Sequence, residues 1–195
     1  AALYQALKAC QQVFCVFVFD RGILDTLPRA DRRVEFIHAS LHSLDGQLHQ
    51  LGAAHGNQGA GLLVVHDHAA KALPRLAAEL SVDAVFANHD DEPQSLSRDA
   101  AVEAALEGQG VAFHSFKDHV VFERQEVLTQ AGKPYSVFTP YKNAWLKKAD
   151  GFYLKPYPVE HYGAALAPLP PERHAIPSLA GIGRASCRER VYSNV

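Results

Sequence analysis

The hydrophobic positions of this chain alternate between two periods. The run Val13-Phe14-Cys15-Val16-Phe17-Val18-Phe19 is continuously apolar and β-favouring, as in a parallel strand covered on both faces, and it stops at Asp20-Arg21-Gly22. From Asp31, a good N-cap residue, Val34, Ile37, Leu41, Leu44, Leu48 and Leu51 recur at spacings of three and four as far as Gly52. That spacing predicts a helix with the whole stripe laid on a sheet. The alternation then repeats: a strand at Leu62-Leu63-Val64-Val65, a helix over about Ala69–Leu80, a strand at Ala84-Val85-Phe86-Ala87, a helix over about Ser95–Glu107, and a strand at Val111-Ala112-Phe113-His114. Short buried strands alternating with amphipathic helices imply right-handed crossovers, so the expected fold class is α/β with a doubly wound, Rossmann-like parallel sheet. Ala1–Cys10 reads as the helix that follows a strand absent from the sequence.

After Trp145-Leu146-Lys147-Lys148 the periodicity fades. The expected organisation is therefore a domain over residues 1–150. A linker over 151–180 follows, marked by Pro156, Pro158, Pro168, Pro170, Pro171 and Pro177. Residues 181–195, containing Gly183-Arg184-Ala185-Ser186-Cys187-Arg188-Glu189-Arg190, read as the translation of a sequencing adaptor, with a real basic tail as the alternative.

Composition narrows the function classes. With 195 residues, 48% hydrophobic and 21% charged, the chain is one folded domain and not a disordered one. Its 19 basic and 21 acidic residues give a net charge of -2, which excludes a histone-like polyanion binder while leaving room for a local basic patch. There is no Met, so the sequence is expected to be a fragment that lacks its start. No apolar run reaches the roughly 18 residues of a membrane span, no membrane partner is expected, and a cytoplasmic compartment is the default.

In open parallel sheets ligands bind beyond the carboxyl ends of the strands, and here those ends are all polar. They read Asp20-Arg21, His66-Asp67-His68, Asn88-His89-Asp90-Asp91-Glu92 and His114-Ser115-Phe116-Lys117-Asp118-His119. Cys10, Cys15 and Cys187 have neither zinc-site nor disulfide spacing, His38 and His42 read as a solvated helix face, and no metal site is expected. No nucleophile elbow and no phosphate-binding glycine loop follows a strand, so no catalytic residue is assigned. What remains is a binding site of carboxylates and arginines, Asp20, Arg33, Asp90, Asp91, Glu92 and Arg98. The two arginines are expected in the first turns of helices, where the macrodipole disfavours cations unless an anion or polar ligand compensates. Surface charge pairs, such as Asp31 with Arg33, are the alternative.

Val16-Phe17-Val18-Phe19-Asp20, Arg32-Arg33-Val34-Glu35-Phe36-Ile37, Asn88-His89-Asp90-Asp91-Glu92-Pro93 with Arg98-Asp99, Phe116-Lys117-Asp118 and Ser136-Val137-Phe138-Thr139-Pro140-Tyr141-Lys142-Asn143-Ala144-Trp145 together resemble the N-terminal α/β domain of the photolyase/cryptochrome family. The resemblance is collinear and runs from residue 1 to about 170. It implies a five-stranded sheet whose first strand is missing here, and a fragment of a light-dependent DNA repair enzyme, a carbon–carbon lyase. A cryptochrome-type blue-light photoreceptor is the alternative, and a stand-alone nucleotide-binding domain is another. It implies FAD in a helical C-terminal domain beyond this chain, damaged DNA as a partner mainly of that domain, a monomer, and no repair by the fragment alone. It also implies a light-harvesting antenna chromophore in the α/β domain. Folate-type antennae are held partly by an Asn-Glu pair, and the matching positions are Gln94 and Ser95, so a flavin or deazaflavin antenna is expected over folate. Its contacts would be Asp20, Arg33, Asp90 and Arg98.

Overall fold

Strands and helices follow one another in the predicted alternation. The computed structural model describes residues 1–173 and 175–186. Its elements are α1 (Ala2–Ala9), β1 (Cys15–Asp20), α2 (Arg21–Leu24), α3 (Arg32–Ala54), β2 (Leu62–Asp67), α4 (Ala69–Glu79), β3 (Ala84–Asn88), α5 (Pro93–Glu107), β4 (Ala112–Phe116) and α6 (Phe138–Lys148), then 3-10 turns at Val159–Ala165 and Pro171–Arg173. The short α2 and the eleven-residue α6 have no counterpart in the hydrophobic pattern.

The apolar run of β2 is continuous because it is buried from both sides. Leu62 and Val64 enter one core with Val34, Leu41 and Leu48 of α3, while Leu63 and Val65 enter another with Ala72 and Leu76 of α4. β1 pairs with β2 in parallel, Cys15 opposite Leu62 and Asp20 opposite Asp67, which sets two carboxylates side by side at the carboxyl edge. β3 pairs with β4, also in parallel.

The four strands form two parallel pairs, not one continuous four-stranded sheet. Phe86 of β3 nevertheless packs into the same core as Phe17 of β1, so the pairs share one interior. The amide of Ala2, at the start of α1, donates to Oδ1 of Asn88 at 2.9 Å, and Asn88 is the last residue of β3. Helix α1 therefore begins at the carboxyl edge, with a strand-end amide satisfying one of its free first-turn N–H groups. This is where a helix entered from a parallel strand starts.

Helix α3 departs from the expected stripe. Val34, Leu41 and Leu48 are buried, but Ile37 and Leu44 are 38% and 40% exposed. Positions seven apart stay aligned to within about 20° of rotation, so 34, 41 and 48 form the buried ridge. The side of that ridge that turns inward carries His38, Asp45 and Gly52, not Ile37 and Leu44. His38 stacks on Phe19 and hydrogen-bonds the Pro177 carbonyl at 2.9 Å, and Asp45 accepts from the amide of Leu62 at 2.8 Å. Hence His38 is not the solvated residue its spacing suggests, whereas His42 is exposed. Gly52 does not end the helix, which runs on to Ala54; a Cβ there would lie 2.4 Å from that of Ala60, so the glycine permits helix and loop to touch.

The proline-rich segment expected as a linker returns to the domain. Leu166 bridges Val13 in parallel, with the Val13 amide donating to Ala165 O at 2.8 Å and the Ala167 amide to Val13 O at 2.9 Å. Leu166 and Leu169 are buried; the prolines break periodicity without preventing apolar residues from filling the core. Of the stretch read as an adaptor, Ile182 is also buried, and the Arg184 guanidinium donates to the carbonyls of Leu27 and Pro28 at 2.9 and 3.1 Å and to that of Leu24. Cys187, Arg188, Arg190 and the rest to Val195 lie outside the described residues.

Candidate functional site at the carboxyl edge

Asp20 ends β1 and caps α2, its Oδ1 accepting from the amide of Gly22 at 2.8 Å. Its side chain is only 13% exposed and has His68 Nδ1 4.0 Å away, on the loop that opens α4. Asp90 follows β3, accepts from the amide of Glu92 at 3.1 Å, and faces His119 Nε2 at 3.8 Å. Both carboxylates thus stand where strands end and helices begin, as the fold requires of binding residues.

The arginines are engaged locally. Arg33 is in the first turn of α3, and its guanidinium folds back onto the N-cap Asp31, Nε at 3.0 Å and Nη2 at 2.6 Å. These bonds, first among them the side-chain contact with Arg33, hold the Asp31 carboxyl down at about 2. The pair expected as the alternative to a ligand site is therefore formed, with Arg33 71% exposed. Arg98 donates to Asp99 at 2.9 Å from Nε. It lies in the second turn of α5 and not the first, because Pro93 starts the helix two residues before Ser95. No hydrogen bond or ion pair joins any two of Asp20, Arg33, Asp90 and Arg98 among the described residues.

The structure adds a layer that local sequence could not show. The segment after β4 folds over the ends of β3 and β4 and is held there by four polar contacts. His89 bridges Ser115 Oγ, 2.6 Å from Nδ1, and Glu123 Oε1, 2.5 Å from Nε2. An ionised carboxylate only accepts, so Nε2 carries the proton. Arg124 donates to Asp91 at 2.9 Å, and Lys117 meets Glu126 at 2.5 Å, a bond that lowers the Glu126 carboxyl below its ordinary range. Asn88 completes the set, donating to Asp118 at 3.1 Å while accepting from α1. Partners up to 34 residues apart leave no spacing signal. An open cleft of about 410 Å³ adjoins this layer, with Leu96, Ala100 and Phe113 on its apolar side and His89, Ser115 and Arg124 on its polar side; none of the four expected contacts lines it. Among the described residues no group of His, Cys, Asp or Glu could hold a metal ion.

The family model for DNA photolyase matches residues 1–162. The deoxyribodipyrimidine photo-lyase of Synechococcus sp. is 30% identical over 134 residues, 69% of this chain and 26% of its own length. That of Halobacterium salinarum is 36% identical over 133 residues, 68% of this chain and 26% of its own length. Among solved structures, the archaeal photolyase from Sulfolobus tokodaii superimposes with a TM-score of 0.56 at 28% identity, covering 73% of this chain and 30% of that one. That protein holds two FAD molecules, from which a novel light-harvesting cofactor is inferred for it. The chain spans about a quarter of the length of these two photo-lyases.

Proposed function

This chain belongs to the DNA photolyase family, and from that premise we propose that it is the light-harvesting α/β unit of a deoxyribodipyrimidine photo-lyase. The parent protein uses light to reverse pyrimidine dimers in DNA. Its FAD and most of its contact with damaged DNA belong to a helical domain beyond residue 195, and it acts as a cytoplasmic monomer. The α/β unit binds a second chromophore of flavin or deazaflavin type at the carboxyl edge. The observation that carries this reading is the placement of Asp20 and Asp90 at the ends of β1 and β3, each beside the start of a helix.

The donor set fits such a ring. Asp20 spends one oxygen on Gly22, and its Oδ2 has no protein partner among the described residues, so it can accept from a ring N–H or a hydroxyl. Asp90 offers the same chemistry, while Arg33 and Arg98 supply donors for ring carbonyls. Arg33 is 71% exposed, and a solvated pair of that kind contributes little, so redirecting its guanidinium from Asp31 to a ligand costs little, whereas Arg98 is half-buried with Asp99 and would have to leave that partner. When bound, the chromophore supplies absorption of near-ultraviolet and blue light and passes the excitation on. The protein's part is to orient the ring and keep water from it.

Titrating the chain with FMN, FAD and a methenyl folate, read by fluorescence, tests the assignment. Flavin binding that weakens at least tenfold (about 1.4 kcal/mol) in Asp90→Ala and Arg98→Ala is expected, with no folate binding. Folate binding lost in Gln94→Ala, or flavin binding indifferent to both substitutions, contradicts it. Purified alone, the chain is expected to leave pyrimidine dimers intact under illumination.

A further inference from the structure

β3 and β4 bring a histidine and a serine onto one face of their parallel pair. Ala87 stands opposite Ser115 and Asn88 opposite Phe116, and the amide of His89 continues the ladder by donating to the Phe116 carbonyl at 2.9 Å. Side chains alternate along a strand, so His89 shares the side of Ala87, Phe113 and Ser115, where Phe113 packs with Val102 and Leu106 of α5. Ser115 is exposed there, and its Oγ is 2.6 Å from His89 Nδ1. The other ring nitrogen, Nε2, is 2.5 Å from Glu123 Oε1, and the imidazole and the carboxylate are each only 23% exposed.

The direction of the protons follows. Nε2 donates to the carboxylate, so Nδ1 presents a lone pair, and the Ser115 hydroxyl is the donor of the 2.6 Å bond. A hydroxyl whose proton points at a basic nitrogen, which a carboxylate in turn orients, is the arrangement of an activated nucleophile. The carboxylate is itself placed. The Glu123 amide donates to Glu126 Oε2 at 2.6 Å, and the turn passes through Arg124 at φ +33°, a left-handed conformation costly for a residue with a side chain. That turn sends Glu123 to His89 and Arg124 to Asp91. A brace needs only the bond between His89 and Glu123. It gives no reason for an exposed hydroxyl that opens on the cleft of about 410 Å³.

We propose that Ser115 is a nucleophile toward neutral carboxylic esters, with His89 as its general base and Glu123 as the residue that positions the imidazole. Ser115 Oγ forms a bond to the ester carbonyl carbon as its proton passes to His89 Nδ1; the alkoxy C–O bond then breaks and the alcohol leaves with that proton. Water, deprotonated by the same nitrogen, attacks the acyl-serine carbonyl and releases the carboxylic acid, restoring the hydroxyl. Leu96, Ala100 and Phe113 offer the acyl chain an apolar wall, and Arg124, the one Arg or Lys lining the cleft among the described residues, supplies positive charge for the developing oxyanion. Asp99 and Glu103 also line the cleft and disfavour a substrate that carries its own carboxylate, which selects neutral esters. None of the three residues is an expected chromophore contact, so the proposal stands apart from that assignment.

The test is acylation of the purified 195-residue chain by p-nitrophenyl acetate, read as the initial burst of nitrophenolate and as the acetylated peptide in a mass map. A burst is expected, with the acetyl group on Ser115. Ser115→Ala should abolish both with unchanged circular dichroism, since the replaced hydroxyl is on the surface. His89→Gln keeps an amide able to hydrogen-bond but no base, and should slow acylation about 100-fold or more. Glu123→Gln should lower kcat at least about tenfold while KM holds. A burst that Ser115→Ala or His89→Gln retains, acetyl on another residue in place of Ser115, or no burst at all overturns the proposal. A Glu123→Gln variant whose KM rises while kcat holds overturns the positioning role and makes Glu123 a brace of the cleft.

Discussion

Replacing one leucine of α3 should be severe, and replacing its neighbour one turn along should be mild. Leu41 is 4% exposed in the core shared by α3, β1 and β2, whereas Leu44 is 40% exposed. Leu41→Ala removes a buried isobutyl group and leaves a space that the flanking Val34, Leu48 and Leu62 cannot fully close, at about 3 kcal/mol. Leu44→Ala removes a side chain already largely in water and leaves no enclosed space, at about 1 kcal/mol or less. For a chain of this size those losses correspond to falls in Tm of about 6–12 °C and at most about 4 °C. Aspartate sharpens the contrast: Leu41→Asp buries an unpaired charge and should prevent folding, while Leu44→Asp should fold. Thermal unfolding followed by circular dichroism reads all four variants. Equal losses at 41 and 44, or a larger one at 44, would refute the burial geometry of α3 and the register of helix on sheet.

The Asp31 carboxyl, held at about 2 by Arg33, favours the folded state above the ordinary carboxylate range, and that contribution disappears as pH falls toward 2. An NMR titration should place its midpoint there and Arg33→Ala should return it to the ordinary range; an ordinary value in the unmodified chain would mean that Arg33 is not folded onto Asp31. Extending the chain upstream with one apolar strand should insert that strand between β1 and β3, parallel to both, and raise Tm, because α1 starts beside Asn88 at the carboxyl edge. An unchanged Tm and no added strand signal would contradict that order of strands.

The fold was legible wherever burial is two-sided or strongly periodic. The run at Leu62–Val65 identifies β2 because both faces are covered, and the endpoints of α1, β3 and α5 fall within a few residues of expectation. The stripe on α3 misled at Ile37 and Leu44 because spacing counts apolar residues alone. Here polar His38 and Asp45 occupy the inner flank, each with a specific partner that spacing does not encode. Helix α6 was invisible because an element that buries nothing has no apolar period. Among the expected contacts, Asp20 and Asp90 stand at strand ends as read, while Arg33 and Arg98 are shown with neighbouring carboxylates. The latch of His89, Ser115 and Glu123 joins segments too distant in sequence for any motif to reveal.

The most direct measurement uses the proposed longer photo-lyase, this chain followed by a helical FAD domain: the excitation spectrum of light-driven dimer repair with and without Asp90→Ala and Arg98→Ala. The account predicts a second absorption band in the unmodified protein that drives repair, and its loss in the double variant while FAD stays bound and repair through FAD persists. A second band of unchanged strength in that variant, or a protein whose excitation spectrum is that of FAD alone, would contradict it.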